Sequence, residues 1–257
     1  MRLGITSGLL AAALIASAPA FAADMPVKAA PMVGTPTWTG TYIGINGGWG
    51  RGTTNHTDTF GTSTNDFSQS GGLAGITYGG NWQSGRWVLG FESDLDWADI
   101  KGTLTTAGPP LGLCSVAGGT TCFTNINTFS TERMRAGVDV DGWLLYATGG
   151  VAFARVDAGQ NPCGPIPANP RLGVGGGNSC NEKWRTGWVV GAGVEKMFAP
   201  HWSVKLEYLH FDLGDDIQYL PTSLPIGASA VRVLERGDMV RLGINYQFDF
   251  LSLLHLN

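Results

Sequence analysis

Three carboxylates occupy every second position of one short stretch, WVLGFESDLDW (87–97). Glu92, Asp94 and Asp96 alternate there with large apolar residues. Clustered carboxylates can serve as general acids and bases. Strict alternation, however, is also the pattern of a β-strand, in which successive side chains point to opposite faces. We therefore favour a strand with one acidic face and one apolar face over a catalytic cluster.

Further charged residues fall on the same polar face of other alternating segments. They are Arg133, Arg135, Arg185, Glu195, Lys205, Glu207, Glu235 and Arg241. With the three carboxylates, the acids and bases of this face nearly balance. Because a buried charge without a partner is costly, we expect these side chains to form a paired network. Arg133 and Arg135 should lie beside Asp94, since their segments are neighbours in the chain.

The composition limits the class of protein. Only 14% of the 257 residues are charged, against roughly 25% in a typical soluble domain. Glycine contributes 39 residues, about twice its average share. The net charge of −4 is mild and evenly spread, so nucleic acid is not expected as a partner.

The N-terminus has the pattern of an export signal. Arg2 precedes an apolar core at 9–16, and Ala20-Phe21-Ala22 forms a small-x-small cleavage box. The apolar core is too short for a membrane anchor, which needs roughly 18 residues. We assign residues 1–22 to a signal peptide and 23–37 to a flexible, proline-containing leader.

Eight later segments alternate between apolar and polar residues with period two. They are 41–50, 72–82, 87–97, 129–139, 143–155, 184–196, 202–212 and 238–248. The links between them are long (51–70, 98–128, 156–183, 213–230) and short (83–86, 140–142, 199–201) in strict turn. This order predicts an antiparallel barrel whose two chain ends both lie at the end with short turns.

The apolar face, with Trp and Tyr near the strand ends, suits lipid and its interfaces. A lipid-spanning sheet must close, because an open edge leaves backbone groups unpaired in hydrocarbon. The sequence therefore predicts an all-β protein, an eight-stranded antiparallel transmembrane β-barrel over 38–248, with a tail at 249–257. A soluble barrel or sandwich is the alternative. Eight strands leave room for little more than side chains, so we expect a plugged lumen.

Four stretches resemble the small porin-like outer-membrane proteins of alphaproteobacteria, relatives of the OmpA-like eight-stranded barrels. They are WTGTYIGINGGWG (38–50), GWLLYATGGVAFA (142–154), GWVVGAGVEKMFAPHWSVKLEYLHFDLG (187–214) and VRLGINYQF (240–248). The resemblance implies a monomer in the bacterial outer membrane that supports envelope integrity. The order of long and short links, with short turns on the periplasmic side, predicts that both termini lie in the periplasm. Some members of that family are described as haem-binding proteins or as weak pores.

The C-terminus departs from that family. Its members end in an aromatic residue that the barrel-assembly machinery reads, whereas here DFLSLLHLN follows Phe248. We expect Tyr246 and Phe248 to carry the assembly signal, although Phe250 could take that place and the tail could mask it.

The cysteines fall into two pairs, Cys114 with Cys122 and Cys163 with Cys180, each within one long link. Export exposes them to an oxidising compartment, which favours two disulfides. Local pairing is preferred because a shorter loop costs less entropy to close, while cross-links between the two loops remain an alternative. No C-x-x-C occurs and the histidines are scattered, so no metal or cofactor is expected.

These observations support a non-enzymatic structural barrel, with outer-membrane lipid and the assembly machinery as partners and no extracellular ligand identified. A narrow solute pore or haem-like binding at the loops is the first alternative. A lipid-modifying enzyme is another, for which His210 with Asp212 is the one close histidine–acid pair. A soluble secreted carrier is the last.

Overall fold

The computed structural model describes residues 37–58, 61, 63–105, 114, 121–161, 163–166, 177–219 and 230–248. The predicted signal peptide, the leader up to residue 36 and the tail at 249–257 lie outside these residues. Within them, no helix is long and apolar enough to cross a membrane.

Ten strands make up the described chain. The long strands are β1 (Gly40–Asp58), β2 (Phe67–Ser84), β3 (Trp87–Leu104), β4 (Thr121–Val140), β5 (Trp143–Asn161), β8 (Cys180–Ala199), β9 (Trp202–Tyr219) and β10 (Val231–Phe248). Two short strands, β6 (Pro165–Ile166) and β7 (Gly177–Asn178), pair with each other. Each long strand has 18 to 20 residues.

The eight long strands form one closed ring in the order β1-β10-β9-β8-β5-β4-β3-β2. All neighbours are antiparallel, and the ring closes where Ile45 of β1 pairs with Ile244 of β10. The predicted fold class is therefore confirmed. Three short turns, near residues 85, 141 and 200, lie at the same end of the ring as Gly40 and Phe248, and we name this the turn end. The opposite end is the loop end.

The strands extend further than the sequence pattern indicated, so the predicted long links are partly wrong. β1 continues to Asp58 rather than stopping at residue 50, and β4 begins at Thr121 rather than at 129. The outward side chains of these extensions are polar, as at Arg51 and Asn55. Apolar alternation ends with the lipid-facing region, but the backbone ladder continues because it needs no apolar side chain.

Large apolar side chains cover the outside of the ring between two rows of aromatic residues. Trp82, Trp87 and Trp143 stand near the turn end, and Trp49 and Trp97 stand toward the loop end. The exposed fraction of the side chain is 48% for Trp143 and above 60% for the other four. An outward apolar band between aromatic girdles is how a barrel meets a bilayer. The outside of this ring is thus a membrane surface rather than a soluble one.

Two disulfides lie at the loop end. Cys114 is bonded to Cys122 at the start of β4, and Cys163 is bonded to Cys180 at the start of β8. The predicted local pairing is confirmed, and the cross-loop alternative is not what the structure shows. The second bridge encloses the paired strands β6 and β7.

Candidate functional site

The inside of the barrel carries a compact set of charged side chains, which we call the lumenal charge cluster. Its members are Glu92, Asp94, Asp96, Arg133, Arg135, Glu195, Lys205, Glu207 and Arg241, all buried. They come from β3, β4, β8, β9 and β10. Inward alternation along each strand brings them to the same depth, toward the turn end.

Arg133 on β4 contacts three carboxylates. Its Nη2 lies 2.6 Å from Glu92 Oε1 and 2.5 Å from Asp94 Oδ2, and its Nη1 lies 2.8 Å from Glu207 Oε1. The guanidinium is fully buried. One arginine therefore joins two carboxylates of β3 to one on the far side of the lumen.

Arg241 on β10 makes a second junction. It contacts Asp94 Oδ2 and Asp96 Oδ2 at 2.9 Å each, and Glu207 Oε2 at 2.5 Å. Asp94 and Glu207 are thus shared by two guanidinium groups, with Arg133 as the other. Charge-assisted bonds of this kind are shorter and stronger than neutral ones, and the shared carboxylates make the cluster continuous across the barrel.

Arg135 and Lys205 complete the cluster on the side nearer the turn end. Arg135 Nη1 lies 3.0 Å from Glu195 Oε2 and 3.5 Å from Glu92 Oε2. Lys205 Nζ lies 2.6 Å from the same Glu92 oxygen. Ser203 Oγ donates a hydrogen bond to Glu195 Oε1 at 2.5 Å. Each of these buried charges has at least one opposite charge in contact.

Two tyrosines that the sequence analysis did not single out hold Arg135 from both sides. The Arg135 guanidinium carbon lies 5.0 Å from the ring centroids of both Tyr42 and Tyr146. This geometry is a double cation–π contact. The Tyr42 hydroxyl donates to Glu92 Oε2 at 2.8 Å, and the Tyr146 hydroxyl donates to Glu207 Oε1 at 3.0 Å. The signal was present, because both tyrosines alternate onto the polar face of their strands.

Two glycines make room for these rings against the barrel wall. A Cβ at Gly79 would lie 2.3 Å from the Tyr42 hydroxyl oxygen, and a Cβ at Gly193 would lie 2.4 Å from that of Tyr146. No side chain fits at such distances. These two inward glycines therefore serve as contact surfaces for tyrosine.

Two charged residues expected in the network lie outside it. Arg185 is buried but donates to the backbone carbonyls of Val233, Leu213 and Gly214, and makes no ion pair with any residue that the structure describes. Glu235 accepts hydrogen bonds from Thr54 and Gln69 rather than from a cation. The prediction for these two was wrong because parity fixes the face of a strand but not the height along it.

An apolar layer separates these two residues from the lumenal charge cluster. This lumenal apolar layer contains Ile100, Phe129, Val189, Leu209, Phe211 and Met239, each at most 1% exposed. The rings of Phe129 and Phe211 pack with centroids 5.0 Å apart. This layer was not predicted from the sequence, because alternation gives the face of each strand but not which apolar residues of different strands lie at one height.

A third group, with His56 at its centre, lies nearer the loop end. His56 is fully buried, and its two ring nitrogens lie 2.8 Å from the hydroxyls of Tyr219 and Thr124. Both nitrogens are therefore engaged inside the barrel. Among the described residues, no group of three or more His, Cys, Asp or Glu side chains is arranged to hold a metal ion.

His210 and Asp212, the one close histidine–acid pair of the sequence, form no ion pair in the described part of the chain. His210 Nδ1 instead contacts Asp238 Oδ1 at 2.8 Å, because Asp238 is its cross-strand partner. A groove of about 340 Å³ on the outside holds His210, Asp238 and Ser68. Ser68 forms no hydrogen bond to His210 in the described part of the chain, so the serine–histidine contact that an acyl-transfer site requires is not formed.

A closed antiparallel ring with an apolar outer band and a charged, filled lumen defines an integral β-barrel of the bacterial outer membrane. Residues 8–248 match the outer membrane protein beta-barrel domain family, and the chain belongs to that family.

Two named relatives are similar over most of the chain. The 31 kDa outer-membrane immunogenic protein of Brucella melitensis is 31% identical over 245 residues, covering 89% of this chain and 93% of the relative. The 22 kDa outer membrane protein of Rhizobium leguminosarum is 29% identical, covering 71% and 68% respectively. These similarities agree with an outer-membrane location.

Solved structures show a looser likeness. OprG of Pseudomonas aeruginosa is 13% identical with a TM-score of 0.47, covering 82% of this chain and 97% of that one. Neisserial surface protein A is 11% identical with a TM-score of 0.39, covering 82% and 98%. The assignment of the fold therefore depends on the ring of paired strands itself.

Proposed function

We propose that the protein is a non-conducting, non-enzymatic structural barrel of the outer membrane that displays disulfide-bonded loops. The observation that carries the proposal is the filling of the lumen. Arg133 and Arg241 each bridge three carboxylates, and the side chains in these contacts are 0 to 1% exposed. No ion can pass this level without breaking several charge-assisted contacts.

The lumenal apolar layer supports the same conclusion by a different mechanism. Phe129 and Phe211 have no polar atoms to replace the water that surrounds an ion, and transferring a charge into apolar surroundings is costly. The two barriers lie in series along the lumen. Disrupting either one should therefore leave the other in place.

We also propose an orientation, with the turn end in the periplasm and the loop end outside the cell. Short turns on the periplasmic side and longer outer loops are the rule for outer-membrane barrels. In this orientation Tyr246 and Phe248 end the last strand at the periplasmic side, where the barrel-assembly machinery would read them. In the same orientation both disulfides, which lie at the loop end, face the outside of the cell.

Planar-bilayer recording of the refolded protein tests the proposal. We expect no steady conductance at moderate voltage, and barrel formation is checked on the same sample by a shift in gel mobility between unboiled and boiled protein. A known porin in the same lipid is the positive control. Steady openings of porin size in folded, unaltered protein would overturn the closed-lumen proposal and favour the narrow solute pore.

A further inference from the structure

One carboxylate faces outward within the apolar band. Glu132 on β4 is exposed and alternates with the inward, buried Arg133. On the outer faces of 87–97, 128–138 and 143–153, which the structure describes in full, Glu132 is the only ionisable side chain. Carboxylates are found inside a membrane mainly where they serve a function.

The strand register gives the depth of Glu132. Its cross-strand partner on β3 is Ser93, which lies six residues after Trp87 and four before Trp97. With a rise of about 3.3 Å per residue and a strand tilt of about 40°, four residues correspond to roughly 10 Å across the bilayer. Glu132 thus lies well inside the row of tryptophans toward the loop end, in the hydrocarbon region.

The hydrogen bonding of Glu132 is incomplete. Ser93 Oγ donates to Glu132 Oε1 at 2.7 Å, and Oε2 has no donor among the residues described. Ser130, the next outward residue on β4, already donates to the backbone carbonyl of Asp94. Lipid chains offer no donor at this depth, so a second protein surface that supplies one would stabilise this oxygen.

The surface beside Glu132 allows such an approach. Outward positions of β4 and β5 are small at Ala136, Ala147 and Gly149. A groove of about 390 Å³, bordered by Trp87, lies over the two alanines. Small residues let protein backbones come close together within a membrane. The far side of the barrel, in contrast, presents large exposed side chains such as those of Leu206, Leu242 and Ile244.

A suitable donor lies on the same outer surface. Tyr78 of β2 is the cross-strand partner of Ser93, on the side away from Glu132, and is 47% exposed. Its hydroxyl makes no hydrogen bond within the described chain. One row across three strands therefore carries an acceptor at one end and a donor at the other. A twofold axis along the membrane normal near β3 would bring Tyr78 of each copy toward Glu132 of the other.

We propose that two copies of this chain pair in the membrane through the β2–β5 outer face, with the hydroxyl of Tyr78 from each copy donating to Glu132 of its partner. A twofold interface is self-complementary, and the Tyr78–Ser93–Glu132 row meets that condition. The sequence analysis predicted a monomer, whereas the outer surface of β2–β5 favours a dimer. The proposal does not depend on whether the lumen conducts.

The test is energy transfer between donor-labelled and acceptor-labelled full-length mature protein, refolded into vesicles and diluted with lipid. We expect wild-type protein to remain paired on dilution. Glu132→Leu and Tyr78→Phe should each weaken pairing at least tenfold, and the double variant should lose little more than either one, since both remove the same contact. Asp99→Asn, an exposed carboxylate outside the apolar band, is the matched control and should pair normally.

Cross-linking gives an independent measurement. Ala136→Cys should be joined to its copy by a flexible bis-maleimide, because a twofold axis near β3 leaves the two positions about two strand spacings apart, too far for a direct disulfide. Leu242→Cys on the opposite face should not be joined in this way. Every variant is first checked for heat-shifted gel mobility, so a misfolded barrel is recognised. Wild-type protein that stays monomeric at all lipid ratios, or Glu132→Leu protein that pairs like wild type, contradicts the proposal. Equal cross-linking from both faces indicates non-specific crowding and overturns it as well.

Discussion

Arg133 Nη1 and Glu207 Oε1 lie 2.8 Å apart although β4 and β9 are not neighbours in the ring. The contact crosses the lumen, and both side chains are fully buried. An eight-stranded barrel is narrow enough for such a contact and wide enough to require long side chains. The contact between Arg133 and Glu207 therefore shows that side chains fill the lumen from one wall to the other at this level.

Replacing Arg133 and Arg135 with alanine should lower thermal stability strongly. The change leaves Glu92, Asp94 and Glu195 with fewer cations, and removing one partner of a buried pair costs about 3–5 kcal/mol. The temperature at which the heat-shifted gel mobility is lost measures the effect. Arg236→Ala removes an exposed side chain on the outer face of β10, so it should change that temperature little. Equal effects of the two changes would show that the cluster adds no stability.

Phe129→Ala should destabilise the barrel without opening it. A large-to-small change at a buried phenylalanine costs about 3–5 kcal/mol, but the lumenal charge cluster still blocks the lumen. We expect conductance only when Phe129→Ala is combined with the two arginine changes. Steady channels in the single variant would mean that the apolar layer alone closes the barrel.

Gly193→Val should displace Tyr146 and loosen its hold on Arg135. A Cβ at that position would lie 2.4 Å from the Tyr146 hydroxyl oxygen, and overpacking typically costs about 1–3 kcal/mol. Gly72→Val is the control, because the nearest atom to its Cβ would be 4.0 Å away. Thermal melts of both variants measure the difference. Similar melting temperatures would show that the tyrosine ring can move at no cost.

Replacing both Cys163 and Cys180 with serine should free the enclosed loop but leave the barrel folded. The bridge closes a segment with a sequence separation of 17 residues at the loop end, whereas the strand ladder is independent of it. We expect faster protease cleavage between the two positions and an unchanged mobility shift on gels. Loss of the shift itself would indicate that the bridge is needed for barrel closure.

Phe248→Asn should reduce membrane assembly, whereas removal of residues 249–257 should not. Phe248 ends β10, and its carbonyl accepts a hydrogen bond from Thr41 at 3.0 Å, so the barrel is complete at this residue. Phe198→Asn, an exposed aromatic at the same end, is the matched control. Assembly is measured as heat-shifted protein in the outer-membrane fraction. If only the tail deletion abolishes assembly, the signal lies after Phe248.

Some features of the lumen could be predicted from the sequence, and others could not. Alternation placed Glu92 and Arg133 on the inward face, and neighbouring strands made their contact foreseeable. The positions of Arg185 and Glu235 did not follow, since their height depends on strand register around the whole ring. The same uncertainty hid the lumenal apolar layer, although Phe129 and Phe211 alternate inward.

The sequence by itself determined the number of barrel strands, their faces and their antiparallel order, and it favoured the local disulfides over cross-links between the loops. These features depend on period-two alternation, link length and loop entropy, which are local properties of the chain. Only the tertiary structure decided that Arg133 reaches Glu207, that Tyr42 and Tyr146 enclose Arg135, and that an apolar layer lies beyond the charges. The physical reason is closure: bending the sheet into a ring fixes which residues from distant strands share one height, and no single strand carries that information.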